Sequence, residues 1–121
     1  MNTIDIFYFN SSGVFSKLST SVTLSLARYL LSSTTISCNG VDYAIFAGGG
    51  GPNNSGYDTI DVFYFNSSGT FSKLSTSLTL SVARRYLAAA TISYNNVDYA
   101  IFGGGNNSSS YYNTINVFCV K

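Results

Sequence analysis

Residues 3–49 and residues 59–105 are near-duplicates: about three in four positions agree at a spacing of 56 residues. Most of the differences exchange one apolar or small residue for another. A third copy begins at Asn113 with the run NTINVF and continues for only a few residues. Self-similarity at this period marks an array of supersecondary units, each of which needs a neighbour to cover its apolar surface. A chain built this way folds by stacking its copies.

The composition suits such burial. Of the 121 residues, 45% are hydrophobic and 16% aromatic, enough for burial to offset chain entropy and exclude disorder. Charged residues make up only 9%, and the net charge is +1. The arginines are Arg28, Arg84 and Arg85, and Lys17, Lys73 and Lys121 are scattered. No basic stripe could follow a phosphate backbone, so a nucleic-acid partner is not expected. No apolar run approaches the roughly 20 residues of a spanning helix, so a membrane partner is not expected either. No secretory leader is visible in MNTIDIFYFN, which places the chain in the cytoplasm by default. Cys38 and Cys119 have no framework spacing and read as isolated thiols in strands.

The local signals are those of strands and turns. β-Branched and aromatic residues dominate, and apolar positions do not recur at helical spacing. Asn39-Gly40 predicts a two-residue hairpin turn with positive φ at both positions, and Asn95-Asn96 fills the same place in the second copy. Asn-Ser-Ser-Gly at residues 10–13 and 66–69 predicts a second hairpin connection. Strands are expected over residues 3–9, 14–18, 31–38 and 41–47, then over 59–65, 70–74, 87–94 and 97–103, with a ninth at 113–120. Ile60, Val62 and Tyr64 would share one face of a strand, and Phe63 and Phe65 the other. A sheet with large apolar groups on both faces must be covered on both sides. Similar sheets stacked face to face supply that cover; a solenoid would have a shorter period, and a sandwich would alternate apolar with polar.

The order of parts resembles the kelch repeat, the motif of β-propeller blades of the galactose oxidase and kelch-like type. In the second copy Arg84 precedes LAAATI, the following strand ends AIFGGG with Gly104 and Gly105, and Tyr64 is followed after six residues by Phe71. In the first copy Arg28 precedes the inner strand, AIFAGGGG carries Gly48 and Gly49, and Tyr8 is followed at the same interval by Phe15. Phe15 and Phe71 stand where the family carries Trp, in a chain with no Trp. The resemblance covers essentially residues 1–121 as one repeat region. It implies an all-β fold of four-stranded antiparallel blades in an incomplete ring of about two. Residues 1–29 would hold the outer strands of a first blade, 30–85 a complete blade, and 86–121 the inner strands of a further one. Two blades cannot close a ring. The chain would then be a fragment of a longer array, the favoured reading, or an assembly unit that self-associates to complete a ring.

Reactive groups are scarce. There is no His and no Glu, which removes Ser-His-Asp and Cys-His sites, His-containing metal sites and a Glu acid or base. The copper histidines of galactose-oxidase-like enzymes and the arginine cluster of sialidase-like ones are missing as well. No enzymatic activity, cofactor or metal site is therefore expected. Asp5 matches Asp61 and Asp42 matches Asp98 across the repeat, as structural hydrogen-bonding positions at turns or strand edges would. The glycine runs lack the Lys-Ser/Thr and the helix of a phosphate loop; they read as strand ends. Arg28 and Arg84 are expected to hydrogen-bond carbonyls between blades. Asn10, Asn53, Asn66, Asn106 and Asn107 fit the N-x-S/T pattern and read as turn residues.

These features together lead to the expectation of a non-catalytic repeat scaffold that presents loops to a protein partner. The candidate binding surface is the pair of Gly/Asn/Ser loops, residues 50–58 and 106–113, with Tyr57, Tyr111 and Tyr112. The alternative is carbohydrate or small-ligand binding at a propeller face.

Overall fold

The computed structural model of the chain describes residues 1–52 and 55–120. Nine strands form three antiparallel sheets, and no α-helix occurs among the described residues. The first sheet is the pair β1 (Ile6–Phe9) and β2 (Phe15–Leu18). The second is four-stranded, β3 (Ser32–Cys38), β4 (Val41–Ala47), β5 (Ile60–Phe65) and β6 (Phe71–Leu74), in sequence order. The third contains β7 (Ala88–Tyr94), β8 (Val97–Gly103) and β9 (Ile115–Phe118). The strands expected from sequence are all present. Those at residues 3–9, 14–18 and 113–120 are shorter than expected, and ahead of β1 the backbone of Asn2 is instead bonded to Leu24.

Turn chemistry sets the pairing. Asn39 and Gly40 both have positive φ and join β3 to β4; Asn95 and Asn96 do the same for β7 and β8. The Asn10 side chain accepts the backbone N–H groups of Ser12 and Val14, and Asn66 accepts those of Ser68 and Thr70. Each asparagine therefore closes its own hairpin. Asn53 lies outside the described residues.

Ile60 and Val62 on one face of β5 join Ile36, Ile45 and Ala47 from the second sheet. Against them lie Leu80, Leu87, Ala100 and Phe102, from the third sheet and the segment leading into it. The two sheets approach along β3, which lies against β7 and β8. There the Thr91 hydroxyl donates to the Thr35 carbonyl at 2.8 Å. The Ser37 N–H donates to Asp98 at 2.8 Å. On the opposite face of the second sheet, Phe63 packs edge-on to Phe46 and stacks on Phe71, with centroids 5.9 and 5.5 Å apart. Both faces of the central sheet are thus apolar, as the pattern of β5 predicts; one is covered by the third sheet, and on the other Phe63 is buried among rings of its own sheet while Phe65 stays exposed.

The flanking sheets repeat the sequence without the same cover. Phe63 is 1% exposed, yet its counterpart Phe7 is 54% exposed. Ile36 is 1% exposed and its counterpart Ile92 57%. The burial of a copy is set by what lies beside it.

Candidate functional site

The most developed polar arrangement surrounds the two repeated arginines. Arg28 is buried at the entry to β3. Its Nε donates to the Gly48 carbonyl at 2.7 Å and its Nη2 to the Phe46 carbonyl at 3.3 Å, both at the end of β4. Its Nη1 donates to Asp61 on β5 at 2.9 Å. The guanidinium therefore ties three successive parts of one sheet together. Bonds to carbonyls were expected to cross between units; the arginine bonds lie within one sheet instead. Near the arginines the contact across units is made by backbone, since Gly49 N–H donates to the Arg84 carbonyl and Tyr86 N–H to the Leu30 carbonyl.

The buried aspartate also departs from the expectation of a turn or strand-edge role. Asp61 sits inside, accepting from Arg28, from the Ser25 N–H at 3.1 Å and from Lys73 at 3.1 Å. Burial by itself would raise its pKa, but hydrogen bonds from Ser25, Arg28 and Lys73 outweigh that and hold it below the usual value. Its counterpart Asp5 is exposed and pairs with Lys17 at 2.7 Å. Sequence reading missed the Arg–Asp pairing. The available signal was the similar offset, 33 and 32 residues, between each arginine and the polar residue of the TID or TIN run that follows.

Arg84 repeats the geometry of Arg28 with one change. Its Nε donates to the Gly104 carbonyl at 2.7 Å, its Nη2 to the Phe102 carbonyl at 3.2 Å, and its Nη1 to Asn116 at 3.1 Å and to the Val82 carbonyl at 3.3 Å. It is fully buried and its pKa is lowered by that burial. A neutral amide replaces the carboxylate, and Arg84 makes no ion pair among the described residues.

Gly48, Gly49 and Gly105 stand against neighbouring backbone, whereas Gly104 has room around it. Gly48, Gly49, Gly104 and Gly105 all have positive φ. A Cβ on Gly48 would come within 2.6 Å of the Arg84 carbonyl oxygen. Only glycine permits both that conformation and that approach. The remaining motif residues divide by neighbourhood. Tyr64 is half-buried beside Tyr43 at 5.4 Å, and Phe71 is half-buried on Phe63. Tyr8 and Phe15 are exposed, with Phe15 stacked only on Phe7 and tilted against Phe9.

The tyrosines of the two loops also differ. Tyr57 N–H donates to the Gly49 carbonyl and its ring covers Gly51. Tyr112 N–H donates to the Gly105 carbonyl, and its hydroxyl accepts from the Asn107 amide at 2.6 Å. Tyr111 is 90% exposed. Tyr57 and Tyr112 are half-buried supports of their own loops, and Tyr111 is the ring offered to solvent. The loops therefore place one tyrosine outward in the third unit.

Asp42 and Asp98 each accept from a serine hydroxyl on the neighbouring strand, Ser37 and Ser93 respectively. Bonds from Ser93 and from the Ser37 N–H lower the Asp98 pKa. Cys38 and Cys119 are both free thiols. No group of three or more His, Cys, Asp or Glu side chains that could hold a metal occurs among the described residues. In comparisons with family models, with curated proteins and with solved structures, nothing matches the chain.

Proposed function

We propose that the three sheets are kelch-like propeller blades, and that the chain is a non-catalytic repeat scaffold for protein–protein interaction. It would be either a piece of a larger propeller or a unit that assembles into one. The observation that carries this reading is the joint between the second and third units. Each arginine ties its own sheet together, and the Gly49 N–H of the second unit donates to the Arg84 carbonyl of the third. A joint of that kind can be extended indefinitely and holds the loops between units at fixed spacing. Tyr57 is bonded to Gly49 and Tyr112 to Gly105 and Asn107, which anchors the ends of the two loops, and Tyr111 is exposed. A rigid frame with an exposed tyrosine among small polar residues suits recognition of a protein surface.

The test is a peptide-display selection against the purified chain, repeated with the Tyr111→Ala variant. Peptides enriched by the natural sequence should lose binding by roughly tenfold or more on Tyr111→Ala, the loss of one anchoring aromatic ring. Failure to enrich any peptide, or enrichment indifferent to Tyr111, rejects the loop as a protein-binding surface. Signal confined to a glycan array and lost in the same variant would favour carbohydrate recognition instead.

A further inference from the structure

We infer that β9 is an interchangeable strand, and that a second copy of this chain completes the third sheet by inserting its β1–β2 hairpin in place of β9, bringing Asp5 onto Arg84. The inference deepens the assembly side of the proposed function. It is independent of the loop-binding role, and the two fail by different measurements.

The structure contains both halves of the junction. β4 pairs with β5 in the register Phe46↔Asp61, Ile45↔Val62, Ala44↔Phe63 and Tyr43↔Tyr64. β8 pairs with β9 in the same register for Phe102↔Asn116, Ile101↔Val117 and Ala100↔Phe118, and the pairing stops there. β1 carries the same run as β5, with Asp5, Ile6, Phe7 and Tyr8 in order. β1 pairs with β2 on one edge, and no strand pairs with its other edge among the described residues. That open edge is the one by which β5 joins β4. A β8 strand from another copy fits it residue for residue, with Phe102 opposite Asp5 and Tyr99 opposite Tyr8.

β9 satisfies β8 less well than β1 would. Asn116 leaves the buried Arg84 without a carboxylate, whereas Asp61 gives Arg28 an ion pair at 2.9 Å. Cys119 stands where Tyr64 meets Tyr43, so the ring contact of the central sheet is missing. β9 also lacks a hairpin partner among the described residues, whereas β1 brings β2 with it. An apolar crevice separates Phe118 and Val120 from Ile36, Val62, Leu74 and Leu78 of the central unit, so β9 leaves that surface incompletely filled.

The exchange needs no change in the first half of the incoming copy. Asp5 is exposed and, among the described residues, is paired with Lys17. In the central sheet the equivalent Asp61 accepts from Arg28 and Lys73 together, so Lys17 can stay in place when Arg84 arrives. The contact is head-to-tail, which gives closed rings or open filaments according to the rotation it imposes.

The experiment is light scattering and sedimentation of the full chain over a concentration series, with Asp5→Asn and Asn116→Asp variants beside it. The natural chain should show mass rising with concentration. Asp5→Asn, a change at an exposed residue, should weaken association about 10- to 100-fold, the worth of a charge-assisted hydrogen bond in a buried setting. Asn116→Asp should weaken it as well, because β9 would then supply Arg84 with its own carboxylate. A Tyr8→Cys/Tyr99→Cys chain carrying Cys38→Ser and Cys119→Ser should form disulfide-linked oligomers on oxidation. A natural chain that remains monomeric throughout overturns the inference. Association of unchanged strength in Asp5→Asn also overturns it, because the copies would then be joined through exposed apolar faces without strand exchange.

Discussion

Replacing Asp61 by Asn tests the buried arginine cluster with the least change of shape. The substitution turns the environment of Arg28 into the one Arg84 already has, where Asn116 accepts from the guanidinium at 3.1 Å. Removing one partner of a buried ion pair outright costs about 3–5 kcal/mol. The amide keeps an acceptor, so the loss reduces to the charged part of the bonds from Arg28 and Lys73, about 2 kcal/mol. With a urea slope of about 1–3 kcal/mol per molar, the unfolding midpoint should fall by roughly 1 M. Asp61→Ala should fall further, by about 3–5 kcal/mol, because it leaves Arg28 facing a void. The pH dependence identifies the cause. Asp61 has a native pKa below the unfolded value of 3.8, so the unfolded chain binds more protons and stability rises with pH across that interval. The difference between the natural chain and Asp61→Asn should be full above that unfolded value. It should vanish as pH falls through the lowered native value, where the natural residue is protonated too. A midpoint change below about 0.3 M, or a difference that persists unchanged in acid, would refute the assignment of charge to this site.

Other outcomes are expected from the same coordinates. Phe63→Ala should cost about 3–5 kcal/mol, and Phe7→Ala in the monomer under about 1 kcal/mol, although the two side chains occupy equivalent sequence positions; chemical denaturation of both variants at low protein concentration measures the contrast. Gly48→Ala should destabilise by about 2 kcal/mol or more through its positive φ and the nearby Arg84 carbonyl, whereas Gly13→Ala, with open space around it, should cost only the backbone strain of about 1 kcal/mol. Thermal melts of the pair separate the two contributions. Asn96→Gly should stabilise by about 0.5–1 kcal/mol, since it gives the second hairpin the Asn-Gly turn of the first at a residue with φ of 62°. A lowered midpoint in that variant would count against the assigned turn.

Much of the fold was legible in the residues because its determinants are local. Asn39-Gly40 and Asn95-Asn96 accept positive φ at low cost and so favour a tight hairpin turn, and alternating side chains around Ile60 to Phe65 place apolar groups on both faces of any strand they form. The candidate site was legible only in part. Arg28, Arg84 and the glycine pairs stood out by repetition, but the use of Asp61 as the arginine's partner depends on strands distant in sequence meeting side by side. Tyr57, Tyr111 and Tyr112 looked alike in composition, and only the backbone bonds to Gly49 and Gly105 show which of them support the loop.

The amino-acid order alone determined strand positions, hairpin turns, the antiparallel all-β class and the equivalence of the copies, since each of these follows from backbone sterics and side-chain alternation within a few residues. The tertiary structure decided which copy of an identical residue is buried, which arginine meets a carboxylate, and which sheet edge stays open. Those outcomes depend on the neighbour a unit has, and two copies of one sequence carry no information about their neighbours.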